Sequence, residues 1–186
     1  LGDVYKRQHQ QYNIGGNWHT DHSYDQIPAL GSMLYAKELP KVGGDTLFAG
    51  CAAAFDPLSE GMKSTLRSLR AVHSSRHVFG KSAAIPDDMA DLFGNADKAL
   101  QDAEHPVVIK HPLSGRETLY VNPGFTTRFV GWTEKESNSL LAFLYEHISR
   151  PEHTYRFQWS KGALAFWDNR ATWHLAVNDY PGETRL

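Results

Sequence analysis

The 186-residue sequence contains a single cysteine, Cys51. One thiol closes no intrachain disulfide and builds no cysteine-rich zinc site, and the scarcity fits a reducing, cytoplasmic setting. Long apolar runs are also missing. The longest, Leu47 to Phe55 (LFAGCAAAF), is about half of what a bilayer span needs, and no basic start followed by an apolar middle marks a secretory leader. Neither sign of charge is in excess: 19 basic and 21 acidic side chains leave a net charge of -2. With no charged tract, a general nucleic-acid groove and a polybasic membrane anchor are both excluded as readings. A small-molecule partner is left, and a homo-oligomer is compatible with it.

Apolar and aromatic material is present in quantity: 41% hydrophobic residues, with 5 Trp, 8 Tyr and 9 Phe. That is enough for one packed core and argues against disorder, and the length suits one domain. We place this single domain at residues 9–186. Residues 1–8 (LGDVYKRQ) resemble a translated adaptor and carry no weight in the fold. The absence of an initial Met, and an end at Thr184-Arg185-Leu186 within a continuing pattern, lead us to expect a domain incomplete at both ends.

Gly31 to Lys37 alternates as a strand, with Met33 and Tyr35 on one face and Leu34 and Ala36 on the other. A turn at Pro40 to Asp45 leads to a second strand, Thr46 to Ala49. Asp56-Pro57 reads as a helix opening, with Leu58, Met62, Leu66 and Leu69 spaced helically to about Ala71. Lys81 to Glu104 reads as a surface excursion with a short helix. His105 to Lys110 and Glu117 to Val121 bracket a turn at Pro112 to Gly115 as a hairpin-like pair. Thr133 and Glu136 have capping-box spacing ahead of an apolar stripe of Leu140, Leu141, Leu144 and Ile148, which Pro151 closes. Alternation around Tyr155, Phe157 and Trp159, then Ala163 to Trp167 and Thr172 to Val177, adds further strands. The fold class is therefore mainly β with flanking helices, a barrel or sandwich.

The sharpest chemical feature is Trp18-His19-Thr20-Asp21. If this stretch is a strand, positions i and i+2 face the same way, so His19 and Asp21 converge on one point. His174 is the best third ligand, flanked by Trp173 and Leu175, which pack on the apolar side. Two His and one Asp leave three positions of an octahedral non-haem iron free. From the residues alone, ordinary structural roles stay open for all three. His22 is read as supporting a ligand or rimming the pocket. His73, His77, His105, His111, His147 and His153 show no comparable carboxylate partner.

Taken in order, Trp18-His19-Thr20-Asp21, Gly43-Gly44-Asp45-Thr46-Leu47-Phe48-Ala49, Trp167-Asp168-Asn169-Arg170, and His174 through Asp179-Tyr180 to Arg185 carry a resemblance over almost the whole chain. The sequence resembles the family of taurine dioxygenase and 2,4-dichlorophenoxyacetate dioxygenase, nearer the taurine branch. The resemblance implies a double-stranded β-helix (jelly roll, cupin-like) and a catalytic Fe(II) on His19, Asp21 and His174. It also implies 2-oxoglutarate and O2 as cosubstrates, with Thr46 and Arg185 holding the far carboxylate. A hydroxyl and a planar guanidinium suit a carboxylate. Phe125 falls where an aromatic lines the substrate site, and Ser75 falls in the neighbouring pocket region, where His73-Ser74-Ser75 departs from the aromatic of taurine dioxygenase. Trp167 to Arg170 is read as a turn with a packed indole and polar groups that orient the backbone and the ligands.

The implied reaction is oxidative decarboxylation of 2-oxoglutarate to succinate and carbon dioxide, coupled to hydroxylation of a small anionic substrate such as a sulfonate, sulfate ester or aryloxy or alkyl acid. Two other readings stay open: a zinc hydrolase using the same three ligands, which leaves Thr46 and Arg185 without a task, and a non-catalytic cupin-like binding domain.

Overall fold

The computed structural model describes residues 15–79 and 101–186. The adaptor-like residues 1–8 and most of the expected surface excursion lie outside that range. The described chain is mainly β. Strands β1 (Gly31–Tyr35) and β2 (Thr46–Gly50) come first, followed by helices α1 (Cys51–Phe55) and α2 (Glu60–Ser68), strand β3 (Arg70–Ser74) and the short helix α3 (Arg76–Phe79). Strands β4 (Asp102–Pro106), β5 (Val108–Lys110), β6 (Glu117–Leu119) and β7 (Thr126–Phe129) precede helix α4 (Glu134–Ile148). The described chain closes with β8 (Thr154–Phe157), β9 (Leu164–Asp168) and β10 (Thr172–Ala176).

Strands far apart in sequence pair antiparallel. β1 lies against β9, β2 sits between β10 and β8, β3 sits between β4 and β7, and β5 pairs with β6. Winding late strands back onto early ones is the pairing of a double-stranded β-helix, and it brings the Gly43 to Ala49 motif beside the segment that carries His174. The register sets Thr46 opposite Ala176 and Phe48 opposite His174.

The helix expected to open at Asp56-Pro57 begins later, as α2 at Glu60, and a separate short helix, α1, ends at Phe55. Asp56 closes α1, and the Ser59 hydroxyl accepts from the Met62 N–H to cap α2. The apolar Cys51–Phe55 run folds as one helical turn that buries Cys51, Ala54 and Phe55. The helix also stops at Ser68, and Arg70–Ser74 is β3. Helical spacing of Leu66 and Leu69 extended the reading too far, because Ala71 and His73 are drawn inward by pairing with β4. The expected His105–Lys110 strand divides between β4 and β5, and β7 went unread. The α4 reading holds in detail, with a reciprocal capping box between Thr133 and Glu136.

α1 and α4 seal one side of the core. Leu66, Val107, Leu119, Phe129, Leu144, Ile148 and Trp173 are all essentially inaccessible. Met33 and Tyr35 of β1 face Phe166 and Leu164 of β9, and all four are exposed on the outer surface of that pair. The inner surface of β1 presents Ser32, Leu34 and Ala36 to a cavity.

Candidate metal centre and carboxylate pocket

His19 and His174 are joined through the backbone. The His19 N–H donates to the His174 carbonyl at 3.1 Å, and the His174 N–H donates back at 2.9 Å. This single bridge holds the two imidazole rings 4.1 Å apart. Asp21 does not lie on the same strand as His19, as the i, i+2 argument supposed. It opens a turn that curls back toward the two rings. Thr20 sets that curl with its one hydroxyl hydrogen shared between the carbonyls of Thr172 and Asn169, at 2.7 Å and 2.9 Å. His22 follows with a φ of 58°, a left-handed conformation uncommon for a side chain of its size, and its Nδ1 lies 2.9 Å from an Asp25 carboxylate oxygen. Gly124 packs on the other side of His19: a Cβ there would sit 2.7 Å from the His19 Cβ, so the close approach requires glycine.

The convergence is the one a metal needs. Nε2 of His19 and Nε2 of His174 lie 3.6 Å and 3.8 Å from Asp21 Oδ1, and the three ligand atoms are within 4.8 Å of one another. An ion bonded at about 2.0–2.2 Å fits between donors so spaced. His19 Nδ1 is 2.8 Å from the Asn17 carbonyl. Donating a proton there leaves Nε2 as the lone-pair nitrogen that faces the cluster. Among the described residues this is the one group of three or more such side chains placed to share an ion.

Thr46 and Arg185 also meet. Arg185 Nη2 donates to the Thr46 hydroxyl at 2.9 Å, and Trp159 Nε1 donates to the same oxygen at 3.0 Å. A hydroxyl has two lone pairs and one hydrogen. With both lone pairs engaged, the Thr46 hydrogen is the part left to offer an anion. The Arg185 guanidinium packs over the Trp159 ring, 5.6 Å from its centroid. Its burial presses its pKa below the ordinary value, while Tyr180, Asp45 and Asp179 pull the other way. The preceding turn is held by Gly43 and Gly44, both with positive φ. The Gly44 N–H donates to Asp179, and Arg156 bridges Asp45 and Asp179.

His19, Asp21, His174, Thr46 and Arg185 line one cavity of about 240 Å³, closed by Ser32, Leu34, Tyr35, Ala36, Trp159 and Trp167. Trp159 and Ser32 escaped the sequence reading. Trp159 was seen as the end of a strand alternation, and that same alternation carries it beyond Phe157, which pairs with Thr46. The signal for Ser32 is a lone hydroxyl on the otherwise apolar inner face of β1.

The remaining expectations divide. Phe125 is buried against His19 and Tyr24, with ring centroids 6.4 Å and 4.8 Å away, so it backs the His19, Asp21 and His174 cluster without lining the cavity. Ser75 is not brought to the cavity. It is fully buried, and its hydroxyl is bonded to the Gln101 backbone. His111 does have a carboxylate partner, contrary to expectation: its Nε2 is 2.9 Å from Asp168 Oδ2. Burial would raise the Asp168 pKa, but hydrogen bonds from Arg170 and His111 outweigh it and hold the carboxyl well below the usual range. His73 packs against His105 and Tyr120 in a second buried cluster of edge-on and tilted rings, and burial lowers its pKa to about 3.

The chain is similar to several known proteins. The chain is 36% identical over 186 residues to the alkylsulfatase of Acinetobacter baylyi, with 98% of this chain and 58% of the relative covered. It is 37% identical over 174 residues to the alpha-ketoglutarate-dependent sulfate ester dioxygenase of Pseudomonas putida, with 91% and 57% covered. It therefore spans somewhat over half the length of these relatives. The solved structure of AAD-2 in complex with Mn(II) and N-oxalylglycine superposes with a TM-score of 0.77 at 29% identity, covering 92% of this chain and 61% of that one. Residues 3–186 match the family described as taurine catabolism dioxygenase TauD, TfdA, and the chain belongs to that family.

Proposed function

We propose that the protein is an Fe(II)- and 2-oxoglutarate-dependent oxygenase that hydroxylates a small anionic organic substrate. The observation that carries this reading is one cavity lined both by three side chains placed to share a metal ion and by a hydroxyl–guanidinium pair. His19, Asp21 and His174 would hold the iron, which when bound supplies the reaction of O2 with 2-oxoglutarate to give succinate and carbon dioxide. Thr46 and Arg185 would bind the far carboxylate of 2-oxoglutarate by charge-assisted hydrogen bonds. Leu34, Ala36 and Leu39 supply an apolar wall, which suits an alkyl or aryl body and excludes water from the reacting carbon. Relatives named for sulfate esters favour a sulfate ester or sulfonate over taurine itself. The partners proposed are small molecules, in a cytoplasmic setting.

The test is oxygen-dependent succinate release with Fe(II) and 2-oxoglutarate across alkyl sulfates, alkylsulfonates, aryloxyacetates and taurine. An alkyl or aryl anion should stimulate release more than taurine does. Adding Fe(II) and 2-oxoglutarate without oxygen should also produce a weak visible charge-transfer band. Oxygen-independent hydrolysis with zinc, and no such band, would overturn the reading.

A further inference from the structure

Asp21 uses its two carboxylate oxygens differently. Oδ1 faces the two imidazoles. Oδ2 accepts a hydrogen bond from the Ser32 hydroxyl at 2.6 Å, a short, charge-assisted contact. The Ser32 oxygen in turn accepts from Asn169 Nδ2 at 2.9 Å. Asn169 is buried to 1% exposure, and its Oδ1 has no hydrogen-bond partner. A buried amide oxygen without a partner is costly, so this side chain is held with its donor toward Ser32 at the expense of its acceptor. In the flipped orientation the amide oxygen would take the Ser32 hydrogen, and Asp21 would lose it. Asn169 is itself anchored on both flanks: its N–H donates to the Leu30 carbonyl, and its carbonyl accepts from Thr20. One residue thus holds Thr20 directly and Asp21 through Ser32.

We infer that Ser32 and Asn169 are positioning residues that hold the Asp21 carboxylate with Oδ1 turned toward His19 and His174, where the three would share an ion. A carboxylate released from Ser32 is free to rotate and must be ordered again whenever an ion binds, which weakens affinity. This inference rests on the metal assignment, and the experiment separates the two.

The measurement is Mn(II) affinity of the purified protein, read from the spin-resonance signal of free ion, beside the melting temperature of the metal-free form. Ser32→Ala should weaken Mn(II) binding by about tenfold to a hundredfold, while Ser32→Thr, which keeps the hydroxyl, should restore most of it. Asn169→Asp offers Ser32 an acceptor in place of a donor and turns its hydrogen away from Asp21. It should weaken binding as Ser32→Ala does, and the double variant should lose no more than the worse single. Wild-type affinity in Ser32→Ala, even with a lowered melting temperature, would reduce the pair to a structural role and overturn the inference. Equal losses in Ser32→Ala and Ser32→Thr would do the same. Full Mn(II) binding by Asp21→Ala would instead remove the ligand assignment itself.

Discussion

At the scale of the residue, the chemistry depends on which atoms each side chain leaves available. Arg185 reaches Thr46 through one guanidinium nitrogen and packs on Trp159, a geometry that a lysine ammonium, being a point charge, does not reproduce. Arg185→Lys should therefore raise the 2-oxoglutarate dissociation constant of the metal-loaded protein by at least tenfold, since a lost charge-assisted bond costs about 1.5–3 kcal/mol. An unchanged constant by calorimetry would place the carboxylate elsewhere. His73 gives a second prediction. Its folded pKa of about 3 lies below the unfolded value near 6.5, so between those pH values the unfolded chain binds a proton that the folded chain refuses. Stability from this residue is then fully present above about pH 6.5 and is lost as pH falls toward 3, at up to about 1.4 kcal/mol per pH unit. Urea unfolding at pH 7 and pH 5 should show the decline, and His73→Leu should flatten it. The three candidate ligands stand out only when the ordered motifs around them are read together, because a His-X-Asp tripeptide is common by chance and the residues alone leave structural roles open. Ser32 and Trp159 do not stand out even so, since nothing in a serine or a tryptophan marks which hydroxyl or indole will be paired with a functional group.

At the scale of the element, α4 was readable from end to end because local signals agree: the capping box, the apolar stripe and the following proline all act within a few residues. Two changes should separate those contributions. Thr133→Ala removes the cap and should cost about 1 kcal/mol, whereas Leu144→Ala hollows the core beneath α1 and should cost about 2–5 kcal/mol. A Leu144 effect no larger than the cap, in chemical denaturation, would contradict the packing described. Where the sequence misled, pairing partners distant in the chain decided the outcome. Arg70–Ser74 is β because β4 and β7 flank it, and no window around Ala71 contains them. The Trp18-His19-Thr20-Asp21 motif pointed to the right side chains through the wrong geometry. Asp21 arrives by a turn that Thr20 pins to residues about 150 positions away.

At the scale of the whole molecule, the sheets, more than any loop, fix the distance between His174 and Thr46. β2 carries Thr46 and β10 carries His174, and their antiparallel register places Thr46 opposite Ala176, two residues along from His174. Two residues of antiparallel strand measure roughly 7 Å. The pairing is also resistant to small adjustment, because a slip of one residue would turn every side chain to the opposite face. The separation between His174 and Thr46 is therefore a fixed length, set in steps of strand pairing. On the proposed reading the cavity would act as a gauge for dicarboxylic acids: a 2-oxo acid one carbon shorter or one carbon longer than 2-oxoglutarate would not reach the metal and Arg185 together without strain. Oxaloacetate and 2-oxoadipate should each bind the metal-loaded protein about tenfold more weakly, or worse, by the loss of one charge-assisted contact. Competition against 2-oxoglutarate measures this directly, and equal binding by all three acids would show that the strands leave the span adjustable.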